Sequence, residues 1–222
     1  MRVDLHWRQE DGVQLAMACW HPGPGYRMIA SSVLGGGTGP REWVLNAQVR
    51  GGYDRMDPAQ HLAELAAGLG LTGPGVGMLT AAQVTELVQR RDADVEATVT
   101  TGLRVPTWAA APADAEDPEL RPVHVPRTIN IIVEVPVPLT DAALVNAVMT
   151  ATEAKTQAVL EAGFRGTGTA SDAICVACGD PDDNSKKQVE EFAGPRSRYG
   201  ARIARAVHAA VLDGARAYKA LL

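Results

Sequence analysis

The chain has 222 residues, 46% of them hydrophobic, enough for one sizeable core. With 21 Lys and Arg against 26 Asp and Glu the net charge is −5, which argues against a nucleic-acid binder. No run approaches the ~20 apolar residues of a membrane span, the charged first dozen residues do not read as a signal peptide, and three cysteines do not make a disulfide framework, so a cytoplasmic protein is expected.

In chain order, "VDLHW" and "VQLAMACW" flank "EDG" as two strands around a hairpin turn, with Gly12 at positive φ. "RMIASSVL" and "WVLNAQV" predict further strands, joined by the glycine-rich connection "GGGTGPRE". "DPAQHLAELAAGLG" spaces Leu62, Leu65, Ala66 and Leu69 as a helix, opened by Asp57-Pro58 and stopped by glycine. "TAAQVTELVQRR" is predicted as a second helix capped by Thr80, and "VEATVTTGLRV" as a β-branched strand. Residues 106–127 are rich in Pro, Ala and acid, without periodicity, and read as a loop or lid. "TINIIVEV" is apolar enough for a central strand buried on both faces. Thr140-Asp141 caps a long helix running to about Ala162, "SDAICVAC" is a strand, and "SRYGARIARAVHAAVLDGARAYKALL" is a closing amphipathic helix. Strand-rich first and alternating later, this order predicts an α+β fold over residues 1–222: a single domain with a mixed β-sheet core covered by helices.

At ~100° per residue, Leu144, Val145, Val148 and Val159 share one stripe of the long helix, and Thr152 and Lys155 fall inside it with Thr156 beside it. Glu153 points to nearly the opposite side. Lys155 either buries its stem and wets its head at the edge of the core, or places a cation at the floor of a pocket. The following "GFRGTGTASDA" sets Thr167, Thr169, Ser171 and Asp172 around glycine. That is suitable material for a nucleophile, its base or an oxyanion hole, and equally for a turn capped by short polar side chains. Gly163 and Gly168 have the spacing of a phosphate loop, but its lysine is missing and the order runs from helix to strand. Asn46 and Asn130 lie in strands that otherwise read as buried, so each either bridges backbone locally or reads a ligand's polar group.

Cys175 and Cys178 are spaced C-x-x-C, but three positions apart on a strand they face opposite sides, so no metal role is assigned. The histidines are dispersed without a zinc-binding spacing, and no G-x-S-x-G elbow occurs.

Taken together, "TINIIVEVPVPLTDAALVNAVMTATEAKTQAVLEAG", "GTGTASDAICVAC" and "AGPRSRYGARIARAVHAAV", preceded by "VLNAQV" and "YDRMDPAQHLAELAAGLGL", resemble the adenosylcobinamide amidohydrolase family of corrinoid salvage. The likeness runs from about Ser31 to Tyr218. Two motifs depart from the family's: its Gly-Thr-Ile-Asn begins here with Arg127, and a lysine near Gly200 is replaced by arginine, including Arg198. The resemblance implies hydrolysis of the amide between the corrin ring and its aminopropanol arm, giving adenosylcobyric acid. Cobalt would then arrive with the substrate, with no cofactor held by the protein. It also makes Lys155 and the loop after it two sides of one site. Asp172, or Glu153, would activate a water or the Thr169 or Ser171 hydroxyl. Lys155 would polarise the carbonyl or protonate the leaving amine, and Asn130 would hydrogen-bond the scissile amide. Asn46, Thr152, Thr156, Thr167 and Ser171 would bind substrate. A corrinoid carrier or sensor without catalysis, or an amidase of another substrate, is the alternative, and self-association into a homo-oligomer is left open.

Overall fold

The structure is a computed structural model and describes residues 1–113, 128–180 and 188–221. The chain runs β1 (Asp4–Glu10), β2 (Val13–Trp20), β3 (Tyr26–Ala30), β4 (Gly37–Pro40), β5 (Trp43–Gln48), α1 (Pro58–Gly68) and β6 (Gly75–Thr80). It continues through a 3-10 turn (Val84–Glu86), β7 (Val88–Asp92), β8 (Val95–Thr101), β9 (Ile129–Val135), α2 (Asp141–Glu161), β10 (Ala173–Gly179) and α3 (Arg198–Lys219). Among the described residues the strands make two mixed sheets, β1-β2-β5-β6 and β4-β3-β10-β9-β8-β7, with β5/β6 and β9/β10 as the parallel pairs.

The sheets pack face to face. Met28, Val44, Met78, Ile132 and Cys175 fill the space between them, and α1 covers the outer side of the four-stranded sheet, its Leu62 and Ala66 packing with Leu45 and Ala47. α2 and α3 cover the other side of the six-stranded sheet over Ile131, Val133 and Val176. The mixed β-sheet core covered by helices, expected from the sequence, is thus found, its strands divided between two sheets in the layer order α1, sheet, sheet, α2 with α3. Double coverage explains the near-continuous apolarity of β9: Ile129, Ile131 and Val133 turn to the helices, while Asn130 and Ile132 turn to the other sheet. The same alternation separates the cysteines, with Cys175 between the sheets and Cys178 beneath the helices.

The local signals work where backbone chemistry is decisive. Asp11 and Gly12, at φ 49° and 75°, form the mirror-image two-residue turn of the first hairpin. Thr140 Oγ1 accepts from Ala143 N at the start of α2. Asp57 precedes α1 but makes no side-chain cap; its carboxylate is held by Arg55 instead. Two expectations fail. The helix predicted to begin at Thr80 is absent: Thr80 ends β6, its hydroxyl accepts from Ala82 N to turn the chain, and Val88–Asp92 pairs with β8. Its arginines suit the exposed edge of a sheet as well as the face of a helix, and tertiary pairing decides between them. The glycine-rich connection after β3 likewise contains β4, which pairs with β3.

His61 of α1 is buried, stacked on Tyr53, with its Nδ1 3.0 Å from the Tyr53 hydroxyl and its Nε2 3.5 Å from Glu10 Oε2. Burial lowers its pKa below the ordinary value, assisted by Arg55 and Arg8 and opposed by Glu10. A depressed folded-state pKa means that the neutral ring's contribution is complete above about 6.5, the ordinary histidine value, and is lost as pH falls through the lower folded value. The Tm is therefore expected to drop as pH falls below about 6.5, with a shallower drop in His61→Gln. Equal slopes in the two proteins would remove His61 as the cause.

Candidate active site

α2 is enclosed on two sides, by the six-stranded sheet and by α3, so its buried arc is wide. Small side chains line it (Ala143, Ala147, Ala151, Ala154 and Ala158), with Leu144 and Val159. Val145, expected in the buried stripe, is 52% exposed. Lys155 lies inside the arc at 7% exposure, and its Nζ does not reach for water: it donates to Asp172 Oδ2 at 2.6 Å, both side chains being 9% exposed. Its head is thus paired inside the protein rather than wetted at the edge of the core.

Asp172 stands at the mouth of β10, immediately before its first residue, beside the beginning of the parallel neighbour β9. Its Oδ1 accepts from Ile129 N at 2.9 Å and from Thr169 Oγ1. Its Oδ2 accepts from Lys155 Nζ and from Thr169 N at 3.1 Å. The carboxylate thus gathers the start of β9, the end of α2 and the intervening loop at one point. Gly168 permits this closeness, because a Cβ there would collide with Asp172 Oδ2 and Lys155 Nζ. Beside the cluster, the Thr128 and Ser171 hydroxyls share a hydrogen bond of 2.9 Å, with Ser171 exposed.

The other loop hydroxyls hold structure. Thr167 Oγ1 accepts from Ala109 N and donates to Thr107 O, and Thr156 Oγ1 donates to Thr167 O. Thr107 and Gly168 form an antiparallel bridge, so the segment expected to be a loop or lid is anchored at its beginning to the loop that carries Thr169. Its residues from 114 onward, Arg127 included, lie outside the described residues. Arg198 is described, with its guanidinium 5.3 Å from the centroid of the Tyr199 ring.

Not every candidate comes to this point. Thr152 is exposed and donates back to Val148 O within α2. Glu153 lines a groove between α2 and α3 with Arg205 and His208, on a different face from Lys155. Asn46 and Asn130 are buried between the sheets and bind each other, Asn130 Nδ2 donating to Asn46 Oδ1 at 2.8 Å and to Leu79 O. Asn46 Nδ2 in turn donates to Thr100 Oγ1 at 3.0 Å. They bridge the two sheets next to the site, and Asn130 Oδ1 is a buried acceptor with no hydrogen-bond partner.

A carboxylate, a buried ammonium, a partly exposed hydroxyl on that carboxylate and a second hydroxyl pair make a set suited to acyl transfer. The family model of adenosylcobinamide amidohydrolases matches residues 4–222. The chain belongs to the adenosylcobinamide amidohydrolase family. It is also 33% identical over 181 residues to the adenosylcobinamide amidohydrolase of Methanosarcina mazei, covering 80% of this chain and 84% of that protein. The protein is thus a corrinoid amidohydrolase. None of this amidohydrolase's described helices is long and apolar enough to cross a membrane. Sequence reasoning missed Thr128, Gly168 as a steric necessity and the Ile129 amide. Thr128 and Ile129 adjoin Asn130 in "TIN", so the signal for them was present, but their partners lie 43 positions away.

Proposed function

We propose that the enzyme hydrolyses the amide joining the corrin ring of adenosylcobinamide to its aminopropanol arm, releasing adenosylcobyric acid and aminopropanol. One observation carries this reading: Lys155 and Thr169 both donate to the Asp172 carboxylate at the mouth of β10, in a chain of this family. Amide hydrolysis needs a group that takes the nucleophile's proton, charge stabilisation for the tetrahedral oxyanion, and a proton for the leaving amine. Asp172 takes and returns the proton. Lys155 keeps a fixed positive charge in a water-poor setting, where it acts more strongly than it would in bulk water. Of the two protons on the Thr128 and Ser171 hydroxyls one joins the pair, and the other is available to donate to a substrate oxygen. Corrinoid salvage follows from the product, since adenosylcobyric acid re-enters cobamide assembly.

The test is incubation of the purified protein with adenosylcobinamide, followed by mass spectrometry. Aminopropanol and adenosylcobyric acid are the expected products. A bound but unchanged corrinoid would mean a carrier, and an unbound one a different amide.

A further inference from the structure

We infer that Thr169 is the nucleophile and that the reaction passes through an ester between Thr169 Oγ1 and the corrinoid acyl group. The inference rests on the hydrolase reading above and deepens it. An ionised carboxylate offers about four acceptor positions, two on each oxygen. In Asp172 all four are taken: by Ile129 N and Thr169 Oγ1 on Oδ1, and by Lys155 Nζ and Thr169 N on Oδ2. No position remains for an attacking water. The hydroxyl that Asp172 holds is that of Thr169, and Thr169 is partly exposed. Its neighbours bond to other groups, Ser171 to the Thr128 hydroxyl and Thr167 to Thr107 O, so Thr169 supplies the hydroxyl on this carboxylate.

The steps balance without a co-reactant other than water. Thr169 Oγ1 attacks the amide carbon while its proton moves to Asp172 Oδ1. The C–N bond breaks as Asp172 passes that proton to the leaving nitrogen, giving free amine and acylated Thr169. The acylated oxygen no longer donates to Oδ1, so an acceptor position opens where a water can bind. That water loses a proton to Asp172 and attacks the ester. The acid is released and the proton returns to Thr169 Oγ1. An ester of this kind can also be intercepted by an amine stronger than water as a nucleophile, so the enzyme would exchange one amide for another.

Wild-type protein should therefore be supplied with adenosylcobinamide and increasing hydroxylamine. The expected result is a corrinoid hydroxamate that replaces adenosylcobyric acid in proportion to hydroxylamine, with aminopropanol release unchanged when acylation limits the rate. Thr169→Ala, with fold checked by circular dichroism, should lose activity on the order of a thousandfold or more. Thr169→Ser should still form the hydroxamate, and since a serine hydroxyl could hold Asp172 as well as attack, it is the hydroxamate that distinguishes a nucleophile from a residue that only holds Asp172. Aminopropanol release with carboxylate as sole product at every hydroxylamine concentration overturns the ester, as does Thr169→Ala turning over at the wild-type rate. Absence of aminopropanol release from wild type overturns the substrate assignment and this inference with it.

Discussion

Replacement of Lys155 by methionine is expected to lower kcat by roughly a thousandfold, the scale of losing one preorganised electrostatic group. Methionine keeps much of the stem volume and removes the charge, which leaves the Asp172 carboxylate without its cation in a setting where both side chains are 9% exposed. Removing one partner of a buried ion pair destabilises by roughly 3–5 kcal/mol, whereas replacing both with neutral groups is far milder. The double variant Lys155→Met, Asp172→Asn should therefore regain stability while remaining inactive. Lys155→Arg should not restore turnover, since the planar guanidinium is larger than the ammonium that packs against Gly168. Steady-state kinetics with thermal unfolding on the same four proteins checks this. Wild-type kcat in a folded Lys155→Met protein would remove the lysine from catalysis.

Gly168→Ala should be nearly as damaging, although it removes no functional group. The new methyl would occupy the space where Asp172 Oδ2 and Lys155 Nζ meet, so the pair must separate or the loop must shift. The loop is held by its bridge to Thr107 on one side and by β10 on the other, so it has little room to yield. A loss of roughly a hundredfold or more in kcat is expected, given what ~1 Å of misplacement costs an active site. The Tm should fall less than for Lys155→Met, because each charge retains its partner nearby. Gly163→Ala is the comparison within the same loop: its Cβ would meet the far end of Lys219 rather than the cluster, and the strain of a side chain at φ 84° should show in Tm rather than in kcat. Equal kcat values for the two variants would show that the close approach at Gly168 is not needed.

Legibility in the sequence followed the range of each interaction. The first hairpin, α2 with its Thr140 cap and the buried strand β9 were readable, because a turn dihedral, a cap three residues away and an apolar run are all local. The segment from Thr80 to Asp92 was not, since its local preferences suit a helix and its strand forms by pairing with β8. Within the site, helical phase placed Glu153 away from Lys155 and the loop chemistry singled out Thr169 and Asp172. The same phase put Val145 and Thr152 on the wrong side, because it assumes one packing surface and α2 has two.

By itself the sequence determined which segments could bury a face, where the chain could turn, and which residues could carry acyl-transfer chemistry. Tertiary structure alone decided how the strands of the mixed β core divide between two sheets. It alone decided that Asn46 and Asn130, 84 positions apart, bind each other, and that Lys155, Asp172 and the Ile129 amide meet at one point. Local dihedral and periodicity signals act over a few residues, whereas the partner of a buried polar group is whatever the packing of distant segments brings within ~3 Å of it.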